Sequence, residues 1–404
     1  MPDGEATIRK GGYNILMIAP TSFFADYGCH VRILEEAQIL QKLGNSVTIC
    51  TYHNGRDLDG LDIRRTMSIP WRKDYEVGSS RHKIAFAALL SLTTLRTALR
   101  CKPDVIHAHL HEGALIGHVI GKLRGVPLVF DFQGSMTSEM IDHRFLNPDG
   151  PFYGPVRWIE ETIDHFPHPI ITSSRHAARL LLEEFRCAPE RVETVPDCVN
   201  TDFLSPHQDA ATITKLKTQW GIPSDSLVVI YLGLLAEWQG TGHLLRAARS
   251  ICQSRSDVHF LIMGFPAVGK YRAMARELGI ADRVTFTGRV RYEEIPPRLA
   301  LGDIAVAPKL SATEGSGKIL NYMAMQLPTV AFDTPVSREY LGDLGVYGRA
   351  GDVDSLSSAI ASLLDDPERR ATLGVALRER AAERYTWEQA GRKIVQVYER
   401  LCGS

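Results

Sequence analysis

Apolar residues along this chain fall into two alternating rhythms. One is a short run rich in β-branched residues: NILMIAP (14–20), SVTICTY (46–52), DVIHAHL (104–110), PLVFDF (127–132), PIITSS (169–174) and VETVPD (192–197). The other is a stripe at helical spacing. Between the first two runs, Val31, Leu34, Ala37, Leu40 and Leu43 share one stripe, with Arg32, Glu35, Glu36, Gln38 and Lys42 mostly outside it and Gly44 as the stop. The second half repeats the rhythm in SLVVIYLG (226–233), VHFLIMG (258–264), RVTFTG (283–288), DIAVAPK (303–309) and PTVAFD (328–333). Strands alternating with helices imply parallel sheets, and two such sets predict two doubly wound α/β domains.

The rhythm breaks at CVNTDFLSPHQ (198–208), which divides the chain into 1–200 and 201–384. A last helix is expected over 385–404. Thr386 and Gln389 form a capping box there, and Trp387, Ala390, Ile394, Val397 and Leu401 form the apolar stripe. This helix could pack back across the hinge onto the first domain. In open parallel sheets, ligands sit beyond the carboxyl ends of the strands, so the chemistry is expected in the loops after these runs.

Composition narrows the partners. The 404 residues are 44% hydrophobic, and 46 Lys and Arg face 47 Asp and Glu, so bulk charge selects neither nucleic acid nor an acidic partner. Seven scattered cysteines (29, 50, 101, 187, 198, 252, 402) form no C-x-x-C pair, which fits a reducing cytoplasm better than a disulfide framework or a zinc site. The N-terminus has no signal-peptide pattern, and the longest apolar stretch, AFAALLSL (85–92), is far too short to span a bilayer.

Three stretches carry candidate chemistry. ATEGSGK (312–318) resembles a nucleotide-binding P-loop, but Ile319 occupies the position of the magnesium-holding hydroxyl. Small residues between a strand and a helix, followed by Lys318, instead offer free N–H groups and one positive charge to a phosphate-bearing ligand. HAHLH (107–111) places three histidines at alternate positions, on one face if the strand continues. Lining a ligand cleft and capping a strand end are equal readings there, and a metal site is a weaker one, because partner carboxylates are not evident. The segment 64–83 holds six Lys or Arg against two acids, with Trp71 and Tyr75 interleaved. That composition fits peripheral contact with an anionic membrane, and equally a solvated loop before a core helix.

Taken in order, the strand-end loops resemble those of the group 1 (family-four) retaining glycosyltransferases, whose fold is GT-B. KPDVIHAH (102–109), PERVETVPDCVNTDFLSP (189–206), LVVIYLGLLAEWQG (227–240), DRVTFTGRVRYEEIPPRLALGDIAVAPK (282–309), TEGSGKILNYMAMQLPTVAFD (313–333) and YTWEQAGRKIVQVYERL (385–401) match family segments in the family's own order. The resemblance implies sugar transfer from a nucleoside-diphosphate sugar with retention at the anomeric carbon, and no metal or other cofactor. It implies a glycan, lipid or small-molecule acceptor. Glu314 would lie beside the reacting sugar. Gly315, Ser316, Gly317 and Lys318 would grip the donor, together with Gly233, Gln239 and Gly240. The acceptor would bind near Gly28, Gln133, His109 and Glu139.

The departures bear on mechanism. The family's phosphate-clamping Arg and Lys are replaced by Leu234 and Gln239, its ribose-binding Glu aligns with Asn321, its histidine after the fourth N-domain strand is Gln133, and its Gly-Gly turn keeps only Gly28. Either the clamp has moved, with Lys318, Lys309, Arg289 or Arg32 as replacements, or the protein is a catalytically silent module that binds a glycan or nucleotide. An epimerase on the same fold is a third reading.

Overall fold

The computed structural model describes residues 12–26, 28–68, 83–143, 145–311 and 315–403. Two compact units account for them. The first is built on Met1–Pro196 and Trp387–Ser404, the second on Asp197–Ala312 and Ser316–Thr386.

The first unit is a seven-stranded, wholly parallel sheet of order β3-β2-β1-β4-β5-β6-β7. Its strands are β1 (Asn14–Ala19), β2 (Ser46–Thr51), β3 (Asp62–Arg65), β4 (Val105–His109), β5 (Leu128–Phe132), β6 (Ile170–Thr172) and β7 (Val192–Thr194). The helices are α1 (Cys29–Lys42), α2 (Lys83–Cys101), α3 (Leu110–Arg124), α4 (Met136–Asp142), α5 (Tyr153–Asp164) and α6 (Arg175–Arg179). β1, β4 and β5 are buried almost throughout because helices cover both faces of a parallel sheet. Leu16, Ile18, Ile106, Ile116 and Leu128 pack into one core cluster, and Phe130, Phe132, Ile163, Leu181 and Phe185 into another. Replacing Ile106 with Ala would cost about 2–5 kcal/mol of that packing.

The second unit repeats the design with six parallel strands in the order β10-β9-β8-β11-β12-β13. They are β8 (Leu227–Leu232), β9 (Val258–Met263), β10 (Val284–Gly288), β11 (Ile304–Ala307), β12 (Thr329–Phe332) and β13 (Val346–Gly348). Around them lie α7 (Ala210–Gln219), α8 (Thr241–Ser254), α9 (Val268–Glu277), α10 (Ile295–Leu299), α11 (Gly317–Ala324), α12 (Pro335–Leu341), α13 (Val353–Leu364) and α14 (Pro367–Arg384).

The chain then returns to the first unit. The last helix, α15 (Trp387–Cys402), packs on α1, and Lys42 Nζ lies 2.9 Å from Glu388 Oε1. Trp387, Ala390, Ile394 and Val397 of its stripe are buried, with Leu401 at the margin.

Both sheets have the strand order that creates a topological switch point, between β1 and β4 in one and between β8 and β11 in the other. The chain leaves these neighbouring strands in opposite directions, which opens a crevice at their carboxyl ends.

Three sequence expectations need correction. β3 and β13 were not foreseen: both are short edge strands, and DIRR and VYG carry too little apolar pattern to announce themselves. Arg32, Glu35 and Glu36 lie off the apolar stripe of α1, yet all three are at most 5% exposed. HAHLH does not remain one strand face, because β4 ends at His109 and Leu110 adopts φ +60° as α3 begins.

Candidate functional site

In the second unit the site starts from two glycines. Gly233, immediately after β8, has φ +147°, and a Cβ there would come within 2.7 Å of Lys318 Nζ. Gly240, at the start of α8, has φ +75°, and its Cβ would meet the Pro308 carbonyl oxygen at 1.8 Å. Only glycine allows this backbone to lie against the end of β11. Between them the chain makes a tight turn: Gly240 N–H donates to the Glu237 carbonyl (2.8 Å), and Gln239 and Thr241 N–H donate to that of Ala236 (3.2 and 3.3 Å). Leu310 N–H donates to the Trp238 carbonyl at 2.9 Å, which ties this loop to the segment after β11.

Lys318 enters the loop from the first turn of α11. Its Nζ donates to Gln239 Oε1 (2.7 Å) and to Tyr231 OH (3.1 Å), and it lies 4.4 Å from the centre of the Tyr231 ring. Tyr231 is fully buried, burial pushes its pKa well above the ordinary tyrosine value, and its hydroxyl donates to the Leu234 carbonyl at 2.7 Å. The ammonium is therefore held on a rigid, neutral platform. It sits at the end of the side chain of residue 239, where the resemblance expects a lysine. The positive end of α11 adds to it, since the first amides of a helix lack intrahelical partners. Ser316 caps α11 from a buried position, and its Oγ has no hydrogen-bond partner. Gly317 is exposed. Asn321 stands three residues after Lys318 on the same helix, which brings the two side chains to one face. Gly315 precedes Ser316, while Glu314 lies outside the described residues.

The other replacement cations are placed differently. Lys309, just beyond β11, is 6% exposed and 5.9 Å from the Trp238 ring centre. Arg289, beyond β10, stacks 4.6 Å over Phe265. Arg32 belongs to the first unit and is engaged there.

The first unit gathers its polar residues at the ends of β4 and β5. Asp131 is fully buried and takes a two-pronged contact from Arg32, with Nε to Oδ2 at 3.1 Å and Nη2 to Oδ1 at 3.0 Å. Arg32 also pairs with Glu36 (2.9 Å) and donates to the Val195 carbonyl (3.2 Å). Asp131 Oδ2 accepts in addition from His109 Nδ1 (2.8 Å) and Gln133 Nε2 (2.7 Å). Burial alone would raise the Asp131 pKa; Arg32 and His109 outweigh it and hold the carboxyl well below the usual range. That leaves His109 Nε2 as a buried ring nitrogen that makes no hydrogen bond. His107 stacks on His109 with ring centres 4.7 Å apart, and burial followed by His109 push its pKa well below the ordinary value. Gly28 begins α1 with φ +47°.

His111 belongs to a separate group. Its Nε2 lies 3.2 Å from Asp164 and 3.7 Å from Glu160, both buried. Glu160 accepts from the Met136 and Thr137 N–H groups (2.6 and 3.1 Å) and so anchors the start of α4, where Ser135 caps and Glu139 occupies the first turn.

Among the described residues, two clusters thus satisfy metal-ligand spacing: Glu36 with His107, His109 and Asp131, and His111 with Glu160 and Asp164. The first already contains the Arg32 guanidinium between its carboxylates, a positive charge that a metal ion would have to face. The partner acids of these histidines were not evident in the sequence because they come from other elements. Tyr231, Glu36, Asp131 and Tyr398 of α15, whose hydroxyl is hydrogen-bonded to His107 Nδ1, also escaped sequence reasoning, and only the packing of elements distant in sequence brings them in.

In the basic segment, Arg65 is pinned by Asp57 (2.7 Å) and by the Phe23, Tyr52 and Asn54 carbonyls, and Arg64 pairs with Asp62. Trp71 and Tyr75 lie outside the described residues. Among the described residues no helix is long and apolar enough to cross a membrane.

Comparison with known proteins agrees with this arrangement. The profile described as "Glycosyl transferases group 1" matches residues 212–380, and that of "Glycosyltransferase Family 4" matches residues 28–203. A D-inositol 3-phosphate glycosyltransferase of Thermobispora bispora is 26% identical over 92% of this chain and 89% of its own. Sucrose-phosphate synthase from Thermosynechococcus elongatus superposes with a TM-score of 0.81 at 17% identity, covering 96% of this chain and 99% of its own. Anabaena HepE, solved in complex with UDP-glucose, gives 0.73 at 16% identity over 97% and 100%. With each unit matched by a profile, and with two Rossmann-like sheets whose glycine turns and helix starts meet at their switch points, the chain belongs to the group 1 glycosyltransferases and has the GT-B fold.

Proposed function

We propose that this glycosyltransferase moves a sugar from a nucleoside-diphosphate sugar to a glycan, lipid or small-molecule acceptor, with retention at the anomeric carbon and without a metal. The observation that carries the reading is Lys318, whose ammonium reaches Gln239 and Tyr231 inside the turn that follows β8. A departing diphosphate needs positive charge aimed at its oxygens as the bond to the sugar breaks. Preorganised charge of this kind is worth several kcal/mol. Lys318 supplies it, with the first amides of α11 beside it, and so takes over from the charges absent at Leu234 and Gln239. Gly233 and Gly240 let the ligand approach the backbone. Asn321 is suited to a ribose hydroxyl as an uncharged partner.

In the same proposal Glu314 stands beside the donor sugar, and His109 and Gln133 face the acceptor. The UDP-glucose bound in Anabaena HepE, a protein of the same fold, supports a nucleotide-sugar donor.

Thermal unfolding against UDP, GDP, ADP, dTDP and their sugar conjugates tests the donor, since a ligand at about 100 times its Kd stabilises the folded state by about 2.7 kcal/mol. A rise with one base and its sugars, unchanged by EDTA and lost in Lys318→Ala, is expected. Proton coupling constants of the product sugar then report its anomeric configuration. No rise with any of them, and no transfer, would return the reading to a silent binding module.

A further inference from the structure

One helix layer of the first unit turns apolar side chains outward. The connections from β3 to β4, β4 to β5 and β5 to β6 all step the same way across the sheet, whereas β1 to β2 steps the other way. Right-handed crossovers therefore place α2, α3 and α5 on one face of the sheet and α1 on the other. α3 is packed on β4 and β5, with α2 and α5 as its neighbours.

α3 is apolar on both its inner and its outer side. Gly117 faces the sheet, where a Cβ would come within 2.8 Å of the Leu128 side chain, so the helix seats closely there, with Ile116 and Ile120 buried beside it. On the outer side Leu115, Val119 and Leu123 form one row four residues apart, and Leu123 is 69% exposed. Leu92 and Leu99 of α2 are exposed on the same layer, as are Trp158 and Ile159 of α5, with Trp158 at 66%. A helix that is apolar all round is normally covered all round. Among the described residues the second unit exposes a single large apolar side chain, Val375 on α14. The apolar surface therefore belongs to this layer and is not general to the protein.

The charge around these residues selects the covering. Arg96 and Arg100 of α2 and Lys122 and Arg124 of α3 are exposed, and Arg96 follows Leu92 by one helical turn. α2 contains no acid. The acid of α3 is Glu112, half-buried in its first turn. In α5, Glu160 and Asp164 are buried and Glu161 pairs with Arg157 at 3.2 Å. The layer is thus apolar and basic in a chain whose formal net charge is -1. A two-fold contact with a second copy would bring one positive patch against another. A bilayer with anionic head groups satisfies both properties: long basic side chains reach its phosphates while Leu, Val and Trp enter the acyl boundary.

We infer that the outer face of α2, α3 and α5 docks on an anionic lipid bilayer and holds this glycosyltransferase at a membrane surface. Docking at this face needs no sugar donor, so it is independent of the reading of sugar transfer.

Co-sedimentation of the full chain with lipid vesicles tests this. Vesicles of phosphatidylcholine with about one third phosphatidylglycerol should bind it about tenfold more tightly than phosphatidylcholine alone, and salt should weaken the binding. Val119→Glu combined with Leu123→Glu changes two exposed positions and should abolish binding. Lys122→Glu combined with Arg124→Glu should weaken it about tenfold. On the wild type, the anionic vesicles should slow acetylation of Lys122 by an amine reagent and leave that of Lys215, on α7, unchanged. No binding to the anionic vesicles, or equal protection of the two lysines, overturns the inference and needs no variant to fold. Folded variants that bind like the wild type overturn it equally. So does a wild-type dimer in sedimentation equilibrium that Val119→Glu with Leu123→Glu dissolves, since a second copy would then cover the face.

Discussion

The two sheets share one strand order but furnish their switch points with opposite materials. In the second unit the crevice is made of backbone, with glycines at 233 and 240, the amides at the start of α11, and a single ammonium from Lys318. In the first unit it is made of side chains, with Arg32, Glu36, His107, His109 and Asp131 all buried and mutually bonded. Under the proposed function, the contrast follows from what each would hold. A diphosphate is a diffuse anion that backbone N–H groups and one cation can cradle without selecting a shape. An acceptor hydroxyl must be aimed, and aim comes from side chains locked by their neighbours.

The largest effect expected from breaking this contrast is on stability in the first unit. Arg32→Met leaves two buried carboxylates without their cation and should lower unfolding stability by about 3–5 kcal/mol. Urea denaturation measures it, and a loss near zero would mean that Arg32 does not hold the network together. Lys318→Ala, by contrast, should leave stability almost untouched and lower kcat/KM about 100-fold, as for other removed transition-state donors. Adding Gln239→Lys to that variant sharpens the point. Activity should partly return if the position of the ammonium is what matters, and should not if α11 itself needs Lys318.

Gly240→Ala should cost about 2 kcal/mol, because it combines a positive φ with a Cβ forced onto the Pro308 carbonyl, and donor affinity should fall with it. A neutral outcome would show that the β8–α8 turn can shift away from β11.

The smallest effect compares the units by pH. Each carries a histidine held down to about 4, mainly by burial: His168, bonded to His118 in the first unit, and His259, bonded to Thr285 in the second. An unfolded histidine gains its proton near 6.5, before the folded one does. The share of stability these two histidines carry should therefore fall as pH drops from about 6.5 to 4 and level off below. His168→Gln and His259→Gln should each flatten part of that slope in unfolding titrations, and an unchanged slope would show that neither histidine is held neutral.

Much of the architecture was legible because strands inside parallel sheets are continuous apolar runs, and NILMIAP or VHFLIMG has no other good use. β3 and β13 were not, since edge strands need little apolar surface. The donor loop was legible in kind: G-S-G-K between a strand and a helix announced an anion site. Which of the four candidate cations would reach Gln239 was not, because Lys318 lies 79 positions from it. The polar face of α1 misled for the same reason. Arg32 and Glu36 look like solvent-facing charges until strand pairing brings Asp131 and His107 to them. Local periodicity reports whether a residue matches its own element, and it carries no information about a partner a hundred residues distant.

The return of α15 to the first unit has a consequence for how the protein is made. A ribosome delivers the chain from its N-terminus, so the first sheet emerges early while Trp387, Ile394 and Tyr398 follow only after the whole second unit. Until then α1 lacks its covering helix and His107 lacks its hydroxyl partner. The unit synthesised first is therefore the one completed last, and the nascent chain must carry an open apolar seam along α1 throughout translation of the second.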